Sequence, residues 1–139
     1  MAEIIWKMSV PSTALFQSAK FSMLLGRKCS LEYYYEAEED FSVIFEKLIF
    51  DGVQSFKCTY DRAGSLEMTK AYDKVVDAGQ SLWLSEITQN LLQAEENAGK
   101  LKHLMIYFDD GPCYEFICRS FEVVSEKQKD YFENLNNPT

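Results

Sequence analysis

The sequence predicts an α+β domain: a largely antiparallel β-sheet with two central helices packed on one face. Three observations carry that expectation. Apolar residues alternate with period two up to Tyr60, they shift to helical spacing between Met68 and Ala98, and aromatic and β-branched alternation returns after Lys100. Strands followed by helices followed by strands mark a segregated architecture, whereas a parallel sheet would interleave the two.

Ile4, Trp6, Met8 and Val10 share one side of the opening segment, a half-buried strand that Pro11 should end. Ala19, Phe21, Met23 and Leu25 alternate more weakly, and Leu15, Phe16, Ala19 and Met23 also fit a helical face, so this stretch stays open between strand and helix. From Lys28 to Glu36 the alternation of Cys29, Leu31, Tyr33 and Tyr35 with polar neighbours predicts a strand. Glu36 to Asp40 then reads as an exposed acidic turn. Asp51-Gly52 lies between Phe41–Phe50 and Val53–Tyr60 and fits a tight hairpin turn, giving a three-stranded meander.

Met68, Ala71, Tyr72, Val75 and Val76 have the spacing of a short amphipathic helix that Gly79 would terminate. A second helix follows, capped by Ser81, with Leu84, Ile87, Leu91, Ala94 and Ala98 as its stripe and Gly99 at its end. Leu104, Ile106 and Phe108 begin a closing hairpin through Asp109-Asp110-Gly111-Pro112 into the β-rich run Tyr114–Val124. Without linker, repeat or low-complexity tract, 1–139 reads as a single domain whose tail, from about residue 126, is partly helical around Tyr131, Phe132 and Leu135 or frayed.

Fourteen basic against 22 acidic residues give a net charge of −8, which disfavours nucleic acid as a partner. No basic stretch leads into an apolar core near Met1, and no apolar run is long enough to span a bilayer. The expectation is a cytoplasmic protein without membrane association, its four cysteines Cys29, Cys58, Cys113 and Cys118 reduced and mostly buried.

Motifs for nucleotide binding, for the hydrolase nucleophile elbow and for zinc proteases do not occur. We assign no catalytic, cofactor or metal residue on sequence grounds. The densest polar cluster is His103, Asp109, Asp110 and Glu115, with Cys113 and Cys118 nearby. Its carboxylates are hard ligands for Mg²⁺ or Ca²⁺, and its single His is the only base available to a cysteine nucleophile. Neither spacing is diagnostic, and Asp-Asp-Gly-Pro is turn chemistry first. Glu36, Glu38, Glu39 and Asp40 read as a solvated face before an acid–base pair. Beside Tyr34 they form the strongest candidate partner surface, because tyrosine offers contact area at low entropic cost and acids steer basic partners.

The run from Met105 to Phe121, with Tyr72-Asp73-Lys74 and Trp83-Leu84 upstream, resembles small uncharacterised bacterial proteins, some of which are similar to immunity proteins of polymorphic toxin systems. That resemblance implies a bacterial binding protein that occludes a toxin and transfers no catalytic residue. The leading expectation is therefore a non-enzymatic protein-binding domain whose partner is a basic protein toxin. A small enzyme or ligand-binding domain built on His103, Asp109, Asp110 and Glu115 is the alternative, and the third is a structural or oligomer-forming protein whose exposed strand edge pairs with another copy, as in a homodimer.

Overall fold

The computed structural model describes residues 2–60, 68–92, 100–109 and 112–128. Among them the chain forms nine strands: β1 (Glu3–Lys7), β2 (Lys20–Leu24), β3 (Lys28–Glu36), β4 (Val43–Asp51), β5 (Ser55–Thr59), β6 (Lys74–Asp77), β7 (Lys102–Tyr107), β8 (Cys113–Cys118) and β9 (Ser120–Gln128). One α-helix, α1 (Leu82–Leu92), lies between β6 and β7, and short 3-10 turns occupy Ser12–Ala14 and Met68–Ala71.

The strands make two sheets, one ordered β2-β3-β4-β9 and the other β1-β6-β7-β8-β5, with antiparallel pairing between every pair of neighbours. The inner faces pack on each other. Leu31, Tyr33, Leu48 and Phe50 of one sheet meet Val75, Leu104, Ile106 and Phe116 of the other in a single cluster. Phe50 and Phe116 stack at 4.0 Å with both rings fully buried. Truncating either ring to alanine should cost about 3–5 kcal/mol, by lost transfer energy and a cavity. Helix α1 covers part of the outer face of the five-stranded sheet, where Leu84 packs with Leu101 and Ile117.

This two-sheet sandwich corrects the expected single sheet with two helices on one face. The helical spacing from Met68 to Val76 is realised as a 3-10 turn, a left-handed residue at Asp73 (φ 57°) and then strand β6. Its cause is burial on both faces. Val75 enters the inner core, while Val76 joins an outer cluster with Ala71, Met105 and Cys113. A strand covered on both sides loses its alternation and acquires a run of apolar residues that a helical template also fits. The second helix does form, with the Leu84 N–H donating to Ser81 Oγ at 3.1 Å as its cap. Ala94, Ala98 and Gly99 lie outside the described residues.

Asp51-Gly52 is not a hairpin. Gly52 takes the left-handed conformation (φ 66°), but β4 stays in one sheet and β5 enters the other, pairing with β8. A second crossing stands beside it at Arg119, which separates β8 from β9 and divides the run Tyr114–Val124 between the two sheets. Arg119 N–H donates to Asp51 O at 2.9 Å, and a Cβ on Gly52 would sit 2.9 Å from Arg119 Cγ. The open stretch Ala19–Leu25 resolves as strand β2, and Ser125–Gln128 continue β9. The expected helical turns at Tyr131, Phe132 and Leu135 lie outside the described residues.

Candidate functional site

The acidic turn connects β3 to β4. Alternation along β3 sends Tyr33 and Tyr35 into the core and Tyr34 to the outer face, where it is half-buried against Phe45 at 5.0 Å. The turn is built by its own backbone: Ala37 N–H donates to Ser42 O at 2.8 Å and Phe41 N–H to Ala37 O at 3.0 Å. Asp40 Oδ1 accepts from the Ser42 backbone N–H at 3.1 Å and hydroxyl at 2.6 Å, while Lys127 of β9 pairs with its other oxygen. Lys127 and Ser42 together hold the Asp40 carboxyl well below the usual carboxylate range. Asp40 is thus a turn-forming residue whose charge is already matched. Glu36, Glu38 and Glu39 are exposed and make no ion pair among the described residues.

The turn also forces out a residue that sequence reasoning missed. Phe41 is 74% exposed and has a φ of 57°, a conformation that bulky side chains rarely adopt. Phe16, itself 40% exposed, is tied to the same strand by its N–H donating to Tyr34 O at 3.1 Å. Together with Val10 and Pro11 the two rings wall a groove of about 460 Å³, which Glu36 and Glu38 also line. The signal available was only the apolar residue at the end of an acidic run, which a strand template absorbs as the first residue of the expected strand Phe41–Phe50.

The polar hairpin cluster separates into two. Register places His103 opposite Ile117 and Met105 opposite Glu115, so the His103 and Glu115 side chains stand diagonally on the outer face. His103 Nε2 lies 2.9 Å from Glu115 Oε1, and Nδ1 lies 2.8 Å from Ser81 Oγ. Both His103 and Glu115 are buried. The Trp83 ring meets the imidazole edge-on at 5.1 Å, and the Lys57 ammonium sits 4.0 Å from the Trp83 ring centre. With its proton on Nε2 donated to Glu115, the imidazole accepts the Ser81 hydroxyl proton at Nδ1, a hydroxyl–imidazole–carboxylate chain. Ser81 is legible as a helix cap, but its contact with His103 depends on how α1 seats on the sheet.

Asp109 stands six residues beyond His103, roughly 20 Å along the strand direction, and does not join it. It is exposed and accepts the Tyr72 hydroxyl at 2.5 Å, a bond that pushes the Tyr72 hydroxyl up to about 12, while its own N–H donates to Ser12 Oγ at 2.7 Å. Asp110 lies outside the described residues. No group of three or more His, Cys, Asp and Glu that could hold a metal ion occurs among the described residues. Burial pushes the Cys113 and Cys118 thiols up to about 12, the reverse of what activates a nucleophile.

Glu46 is a buried carboxylate that sequence reasoning also passed over, although it interrupts the inner-face series Ile44, Leu48, Phe50. Its oxygens accept the Tyr33 hydroxyl at 2.5 Å and the Ser125 hydroxyl at 2.6 Å, joining the three strands β3, β4 and β9. Burial, followed by this bond, drives the Tyr33 hydroxyl far above its ordinary range. No helix among the described residues is long and apolar enough to cross a membrane. Compared with known proteins, the chain matches no family model, no curated protein and no solved structure.

Proposed function

We propose that the chain is a protein-binding domain whose groove at the β3–β4 turn receives a basic segment carrying an apolar side chain, as an immunity protein would cover a basic toxin. Phe41 carries the reading: a large ring held out of the core, in a strained conformation, beside carboxylates that make no ion pair among the described residues. Aromatic contact supplies the affinity and Glu36, Glu38 and Glu39 steer the encounter, so binding weakens with salt. Asp40, already matched by Lys127, lies outside the contact set, which includes Phe16 and Phe41. A cytoplasmic location belongs to the same reading, since four free thiols stay reduced there.

The test uses two baits, the wild-type chain and a Phe41→Asn/Glu36→Lys/Glu38→Lys variant. A basic protein retained by the first and lost by the second should re-form a binary complex when purified, and that complex should weaken at high salt. If no protein discriminates the baits, the reading fails.

A second reading rests on the Ser81–His103–Glu115 chain, which has the connectivity used in acyl transfer: Ser81 Oγ would attack an acyl carbon and pass its proton to His103 Nδ1, which would return it to the leaving group as the bond from that group to the acyl carbon breaks. A fluorophosphonate should then label Ser81 and spare a His103→Gln variant. An unlabelled wild-type protein leaves the chain as an anchor for α1.

A further inference from the structure

We propose that the cleft between the edges of the two sheets, at the far end of β3 from the Phe41 groove, binds a small amphipathic carboxylate of the medium-chain fatty-acid type. The nine residues of β3 place the two sites roughly 26 Å apart, and this site stands independently of the docking surface.

The cleft opens where edge strands β2 and β5 approach without pairing, Phe21 meeting Phe56 at a ring separation of 5.2 Å. Its volume is about 410 Å³, within the roughly 300–1,000 Å³ common for small-molecule sites. Met23, Leu24, Val53 and Phe56 form apolar walls, and Met23 is 70% exposed. One end is closed by the bond from Val53 N–H to Arg27 O at 2.9 Å, which ties the β2–β3 turn to the β4–β5 connection.

The charged groups lining the cleft are both cations. Arg27 and Lys28 are adjacent cations at the cleft, and neither makes an ion pair among the described residues, unusual company in a chain of net charge −8. Asp51, opposite Lys28 on the β3–β4 ladder, accepts the Gly52 N–H at 2.8 Å. Gln54 is fixed by its backbone N–H donating to Ile117 O at 2.8 Å, yet its side-chain Nε2 is buried with no hydrogen-bond partner among the described residues. A buried amide donor left unpaired costs about 1–3 kcal/mol, so such a group calls for an acceptor. Two adjacent cations beside an apolar wall, with the unpaired Gln54 amide in the lining of the same cleft, match a carboxylate headgroup with a hydrocarbon tail.

Titration of the full chain with octanoate, followed by ¹H–¹⁵N correlation NMR, tests the assignment. Saturable shifts are expected at the Gln54 side-chain amide and at the backbone of Arg27, Val53 and Phe56. Acetate, which lacks the tail, and octanol, which lacks the charge, should bind at least tenfold more weakly. An Arg27→Glu/Lys28→Glu variant should lose octanoate binding, and Gln54→Leu, which removes the orphan donor together with its amide carbonyl, should weaken it several-fold while keeping the wild-type spectrum elsewhere. Equal shifts from octanol and octanoate would reduce the cleft to an apolar patch, and absence of saturable shifts at millimolar octanoate would remove the site altogether.

Discussion

Replacing Phe41 by asparagine separates a functional ring from a structural one. Phe41 is 74% exposed, so about a quarter of its 150–250 Å² is withdrawn from water, some 50 Å². At about 25 cal/mol per Å² that contact contributes roughly 1.2 kcal/mol, an upper bound because the unfolded chain buries part of it too. Against this stands the left-handed backbone, which costs a non-glycine residue about 1–2 kcal/mol and which asparagine tolerates well. The two effects cancel, and Phe41→Asn should leave the urea midpoint nearly unchanged, within about 0.5–1 kcal/mol, while partner binding collapses. A loss above about 2 kcal/mol would show that the ring anchors the turn and would refute the argument that it is held out for a partner.

Tyr33→Phe should cost about 1.5–3 kcal/mol in urea unfolding, since it strips a hydrogen bond from the buried Glu46 carboxylate while Ser125 still holds the other oxygen. Ser81→Ala should cost about 1 kcal/mol by the same measurement, through loss of the cap on the Leu84 N–H. Gly52→Ala should cost more than the ~1–2 kcal/mol of a left-handed alanine, because its methyl meets Arg119 Cγ at 2.9 Å and Cβ at 3.0 Å, and an added Arg119→Ala, which removes the Cγ and keeps the Cβ, should return only part of the excess. Stability should be fully present below pH 9 and fall as pH rises toward 12. There the unfolded thiols, with an ordinary value of 9.0, lose protons that Cys113 and Cys118 keep up to about 12, so the folded state binds more protons. Urea midpoints at pH 8 and 10.5 measure the drop, which should shrink in a Cys113→Ala/Cys118→Ala variant when each pH is referred to its own midpoint at pH 8.

The strand over 28–36 was legible because the inner face of β3 is apolar while its outer face carries Ser30, Glu32 and Tyr34, so Cys29, Leu31, Tyr33 and Tyr35 carry an unmixed period of two. The stretch through Val75 and Val76 was not, because burial on both faces erases that period. Sheet membership was equally hidden: Asp51-Gly52 encodes a left-handed turn and says nothing about which sheet receives the next strand. Of the candidate site, the carboxylates were visible as composition. Phe41 became visible only once the Ala37–Ser42 bonds defined the turn that expels it, and Ser81 joined His103 only through the seating of α1.

The paired crossings at Gly52 and Arg119 have a consequence for how the chain reaches this state. β4 completes its ladder with β9, a segment about seventy residues later, so Val43–Asp51 spends synthesis as an open edge until Ser120–Gln128 emerges. Such long-range pairing slows folding and leaves a β-edge exposed to self-association in the interim. A chain released before residue 120 would keep that edge unpaired, and substitutions near Arg119 that delay the docking of β9 should first be felt as aggregation of the folding chain rather than as loss of native stability.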